Sequence, residues 1–106
     1  MFHLRRIFKT NPGMARKVAT LAYQEAQIFK DAGQRTDFSV YFNGGTTPAE
    51  KDSVVLEWTD ASIQSIYRES NDIPEGALQV GREISELTID HRLEINELLT
   101  PDKMLD

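Results

Sequence analysis

The chain has 106 residues, a net charge of −5, 27% charged residues and no cysteine. That is the length of one domain, and the acidic balance excludes both the basic stripe of a nucleic-acid binder and attraction to an anionic membrane surface. No run approaches the roughly 20 apolar residues of a membrane span. The N-terminal Met-Phe-His-Leu-Arg-Arg-Ile-Phe alternates instead of forming the apolar block of a signal peptide. Without cysteine there are no disulfides and no thiol chemistry, which fits a reducing compartment, and a cytoplasmic protein is expected.

Residues Phe2–Thr10 alternate with a period of two and read as a strand. Phe2, Leu4 and Phe8 take one side, and His3, Arg5, Ile7 and Lys9 the other. Arg6 breaks the pattern on the apolar side, where its stem is expected to pack while its head reaches water. Asn11-Pro12-Gly13 reads as a helix start, with Asn11 as cap and Pro12 at the first helical position. Met14, Val18, Leu21, Ala22, Ile28 and Phe29 recur at helical spacing, and Gly33 supplies the left-handed residue that ends the helix.

Arg35–Asn43 is the second predicted strand, with Phe38, Val40 and Phe42 opposite Asp37, Ser39 and Tyr41. Asn43-Gly44-Gly45-Thr46-Thr47-Pro48 is a loop, longer than a tight hairpin needs. It lacks the helix and the lysine of a phosphate-binding P-loop. Ser53–Thr59 follows as a strand with Val54, Leu56 and Trp58 on the core side and Val55 and Glu57 on the other. Asp60 is expected to cap a short helix carrying Ile63, Ile66 and Tyr67, broken at Asn71-Asp72-Ile73-Pro74. A further helix runs from about Glu75 to Leu87. The last strand, His91–Leu99, sets Leu93, Ile95 and Leu99 against Arg92, Glu94 and Asn96. The tail from Thr100 to Asp106 is short and polar.

Strand, helix, strand, strand, helices, strand, each with one apolar face, is solved most simply by an α+β domain. It is a ferredoxin-like four-stranded antiparallel sheet with the helices on one face, spanning residues 1–106. The right-handed crossover rule places the third strand between the first and second, and the fourth beside the first. The uncovered face then carries Ile7, Tyr41, Val55 and Leu98 among Arg5, Ser39, Glu57, Arg92, Glu94 and Asn96. Apolar groups mixed with charges call for a second layer, and a second copy of the sheet related by a twofold axis supplies one.

Several segments resemble one superfamily. They are Leu4-Arg5-Arg6-Ile7-Phe8, Asn11-Pro12-Gly13-Met14-Ala15-Arg16, Val54-Val55-Leu56-Glu57 and Leu93-Glu94-Ile95. Together they are similar to the dimeric α+β barrel superfamily and, within it, to the NIPSNAP-like branch. The resemblance implies a ferredoxin-like subunit and a homodimer with a barrel-like interior. It implies no particular reaction. The superfamily also holds cofactor-free monooxygenases and haem-degrading monooxygenases. The haem-degrading pattern of a first-strand asparagine, a helical histidine and a nearby tryptophan is not met here: the first strand has no asparagine, and neither His3 nor His91 falls in a predicted helix.

On the uncovered face, Arg5, Glu57, Arg92 and Glu94 are expected to meet across the central strands. Opposite charges there can form a structural ion-pair network, orient a polar ligand, or set Glu57 or Glu94 as a general base. Tyr41 can stack on a ligand or pack at the seam, and Ser39 joins the same lining. No cofactor is implied, and a metal would need the two histidines, His3 and His91, together with a carboxylate. Two functions compete. One is a homodimer binding a small organic ligand in the barrel interior, with a cofactor-independent, monooxygenase-like activity as its enzymatic form. The other is a non-enzymatic dimerisation module with a salt-bridged, packed interior.

Overall fold

A computed structural model describes all residues from Met1 to Asp106. In chain order the elements are β1 (Phe2–Thr10), α1 (Ala15–Asp31), β2 (Phe38–Asn43), β3 (Ser53–Asp60), α2 (Ala77–Glu86) and β4 (Thr88–Glu97). A single 3₁₀ turn, Pro101–Lys103, follows in the tail. The strands form one sheet in the order β2-β3-β1-β4, with every neighbouring pair antiparallel. This is the ferredoxin-like arrangement that alternation and the crossover rule predict, and no helix is long and apolar enough to cross a membrane.

The core lies on one side of the sheet. Phe8 of β1 and Val54 of β3 meet Ala15, Val18, Ala19, Leu21 and Ala22 of α1 and Ile84 of α2. Leu56 beside them is buried, with 1% of its surface exposed. Small residues along α1 let that helix sit close to the pleat, as ridge-into-groove packing requires. α1 lies over β2 and β3, whereas α2 leans chiefly on α1 and touches β4 little. Leu93 and Ile95, on the helix side of β4, are therefore 45% and 37% exposed.

Several local expectations give way to tertiary context. α1 begins at Ala15, and Asn11 is not its cap. Asn11-Pro12-Gly13 instead forms a turn closed by the Met14 amide donating to the Asn11 carbonyl at 3.0 Å. Gly13 holds a φ of 78° there, a left-handed value no helical residue adopts. Its amide donates to Asp52 Oδ1 at 3.2 Å, across the chain. At the other end Gly33, at φ 74°, terminates the helix as its sequence context predicts.

β2 starts at Phe38 rather than Arg35, and β4 runs Thr88–Glu97 rather than His91–Leu99. A register shift between Lys9 and Thr10 lets Thr88 join the ladder early. The Asn43–Pro48 loop is organised by one side chain. Buried Asn43 accepts from the Gly45 amide at 2.7 Å and donates to the Thr47 carbonyl at 3.0 Å.

The helix expected after Asp60 does not form; residues 61–76 are turns, bends and irregular chain. Side chains here compete for the backbone groups a helix would need. Asp60 Oδ1 takes the Ser62 amide, Ser65 Oγ takes the Tyr67 amide, and Asn71 Nδ2 donates to the Ile66 carbonyl. Arg68 braces the same segment through the Ser65 carbonyl and Asn71 Oδ1.

Candidate functional site

The register gathers the six residues singled out on the open face into two adjacent cross-strand rows. Ser39, Glu57, Arg5 and Glu94 lie side by side from β2 to β4, and Tyr41, Val55, Ile7 and Arg92 form the next row. Strand alternation puts all of them on the side away from the helices.

The charges of the first row are mutually satisfied. Arg5 Nη1 donates to Glu94 Oε1 at 2.9 Å, and its Nε lies 3.9 Å from Glu57 Oε2. Glu57 also accepts from His3 Nε2 at 3.2 Å, and Glu94 from Arg92 Nε at 3.1 Å. The result is one chain of alternating donors and acceptors, His3–Glu57–Arg5–Glu94–Arg92. Arg5, Glu57 and Glu94 keep only about a third of their side-chain surface exposed. Ile7 at the centre of the second row is buried at 6%, whereas Tyr41 is 57% exposed.

No deep cavity opens on this face of the subunit. A shallow hollow of about 220 Å³ lies beside His3, Ser39, Glu57 and Thr59. Tyr41, Arg5 and Glu94 do not line it. His91 lies on the helix side, its ring 6.2 Å from that of Phe8, and so does not approach His3 on the open face. No group of three or more His, Asp or Glu side chains is placed to hold a metal ion.

A second site lies on the opposite side of the sheet, where residues 61–76 cross β1 and β4 beyond the reach of α2. It is a cavity of about 390 Å³ whose lining includes Leu4, Arg6, Phe29, Arg35, Trp58 and Tyr67. Trp58, expected in the core, is only half-buried and forms part of this wall. The Arg35 guanidinium stands 4.2 Å from the centre of the Trp58 ring and 5.0 Å from that of Phe29, within cation–π range of both.

The head of Arg6 reaches water only in part. Its Nε is buried without a hydrogen-bond partner, and so are Arg35 Nη1 and Gln34 Oε1. All three residues line this cavity. Burial, reinforced by the positive charge of Arg6, lowers the pKa of Arg35 to about 10, although Glu25 pulls the other way. Burial likewise pushes the Glu25 carboxyl above its ordinary range, outweighing the attraction of Arg6 and Arg35. Neither arginine makes an ion pair within 4.0 Å.

The Glu25 shift has a stability consequence. The unfolded chain releases this proton at lower pH than the folded protein does. Stability from this residue therefore falls as pH rises from the ordinary carboxylate range through the raised value. Glu25→Gln removes that loss. In urea titrations the stability difference, variant minus wild type, is expected to increase between about pH 4 and about pH 7. A difference that stays flat with pH contradicts the burial of a charged Glu25.

Sequence reading marked Arg6 only as an irregularity and passed over Glu25, Gln34 and Arg35. The one available signal was that irregularity: a guanidinium on the core side of a central strand needs a partner or a cavity. No family model matches the chain, and no curated protein is significantly similar to it in sequence.

Proposed function

We propose that the chain acts as a cytoplasmic homodimer that binds a small organic ligand. The ligand site in this reading is the cavity between the sheet and the 61–76 segment of each subunit, not the space between the two sheets. The observation that carries it is that the three residues with buried, unpartnered side-chain polar atoms all line one partly open cavity of about 390 Å³. Buried polar groups in folded proteins are otherwise almost always paired, and concave, largely apolar hollows of this size are where small ligands bind.

The open face supports pairing of two copies. Its charges alternate and cancel locally, Ile7 and Val55 provide an apolar centre, and a second sheet would cover Tyr41 without stranding a charge. The same mutual satisfaction favours a second reading, in which the protein is an interaction module with no ligand at all.

One experiment separates the two. Binding of a mixed set of neutral and charged aromatic fragments is followed by NMR at the indole N–H of Trp58, the only tryptophan, alongside sedimentation equilibrium. A saturable shift of that resonance in a dimeric protein supports ligand binding. A dimer in which no fragment moves it supports the interaction module, and a strict monomer rejects both.

A further inference from the structure

The proposed ligand site has a charge that selects among organic molecules. Arg6 on β1 and Arg35 after α1 bring two guanidiniums to one cavity, each with a buried nitrogen left without an acceptor. Unpaired buried charge is costly, and two like charges sharing a site are costlier still. Around them, Arg68 spends its donors on the Ser65 carbonyl and Asn71 Oδ1, and Asp60 accepts the Ser62 amide. Three guanidiniums thus line the cavity with one carboxylate, that of Asp60, while Glu25 stands outside the lining and acts on Arg6 and Arg35 through its charge, so positive charge is left in excess. The remaining wall is mixed: Leu4, Phe29, Trp58, Ile63, Ile66 and Leu93 supply its apolar part, beside the polar Gln34, Ser62, Gln64 and Ser65.

We propose that this cavity binds a hydrophobic monocarboxylate, its carboxylate between Arg6 and Arg35 and its apolar body along Trp58. The assignment rests on the ligand-binding reading above and adds to it the class of ligand. A planar guanidinium fork matches a carboxylate in two parallel hydrogen bonds. A lining with positive charge in excess beside several apolar side chains matches an amphipathic organic anion. The lowered pKa of Arg35 agrees with a guanidinium that lacks its counter-ion.

The test compares 3-phenylpropionate with its uncharged amide, 3-phenylpropionamide, using the emission of Trp58 as readout. The acid is expected to saturate the signal with a dissociation constant at least about tenfold lower than that of the amide. Arg35→Gln and Arg6→Gln, checked for native circular dichroism, are each expected to erase that preference. Arg35→Lys keeps the charge and is expected to restore part of it if the glutamine variant does not fold. Equal binding of acid and amide overturns the monocarboxylate assignment and leaves ligand binding standing. An acid preference that survives both glutamine variants overturns the placement of the anion. No change with either compound up to about 10 mM, where even a weak site would begin to fill, overturns the assignment. Whether the broader ligand reading falls with it is decided by the fragment set at Trp58.

Discussion

In the proposed homodimer, replacing Arg5 by alanine is expected to weaken self-association by about two orders of magnitude or more, while changing the stability of the isolated subunit by only about 1 kcal/mol. Arg5 is the single cation between Glu57 and Glu94. In the free subunit these carboxylates are still partly wetted, so removing Arg5 costs little more than a surface pair. Under a second sheet the water is gone, and Glu94 and Glu57 would face each other across β1 without the charge that separates them. Removing one partner of a buried ion pair costs about 3–5 kcal/mol because the other is left uncompensated. At about 1.4 kcal/mol per decade, that is the stated loss in affinity. Sedimentation equilibrium of wild type and Arg5→Ala measures it directly. An unchanged association constant would show that the open face is not where two copies meet, and would remove the homodimer from the proposed function.

The second large effect concerns the opposite face of the same sheet. Leu56 sits in β3 between Val40 and Arg6 and is 1% exposed. Leu56→Ala deletes a fully buried branched side chain beneath α1, where the helix cannot collapse onto the gap without losing its own contacts. A loss of about 2–5 kcal/mol in unfolding free energy is expected. For a domain whose total stability is of the order of 5–15 kcal/mol, that is a large share. Val55, the next residue, points to the open face and is half-buried in the subunit. At concentrations where the protein is monomeric, Val55→Ala is expected to cost about 1 kcal/mol. Urea denaturation of the two variants provides the comparison. Equal costs would mean that the two faces of β3 are not as unlike as the burial pattern makes them.

These two substitutions also mark what was legible beforehand. β1 was assigned to the residue, and the faces of β1 and β3 correctly, because strict alternation leaves only one way to bury Leu4, Phe8, Val54 and Leu56 together. Once the faces were known, handedness gave the strand order, and the order brought Arg5 next to Glu57 and Glu94. Boundaries fared worse where they depended on distant partners. Thr88 joins β4 because a register shift near Lys9 accommodates it, and Asn11 yields its capping role because the Gly13 amide finds Asp52. Neither partner is near in sequence, and local pattern carries no trace of either.

The region after Asp60 shows why a correct period can mislead. Ile63, Ile66 and Tyr67 are spaced as a helix would space them, yet Asp60, Ser65 and Asn71 take up the backbone groups. The segment instead lies across the sheet and closes the cavity around Arg6 and Arg35.

Short-range periodicity in the chain was enough to specify the sheet, its order and the company of charges on its open face, since each follows from burying one side of every strand. The cavity opposite is assembled from β1, the end of α1, β3 and an irregular connection. No repeating pattern links Arg6, Glu25 and Arg35; they become neighbours only when α1 packs across the sheet and the 61–76 segment folds over the remainder.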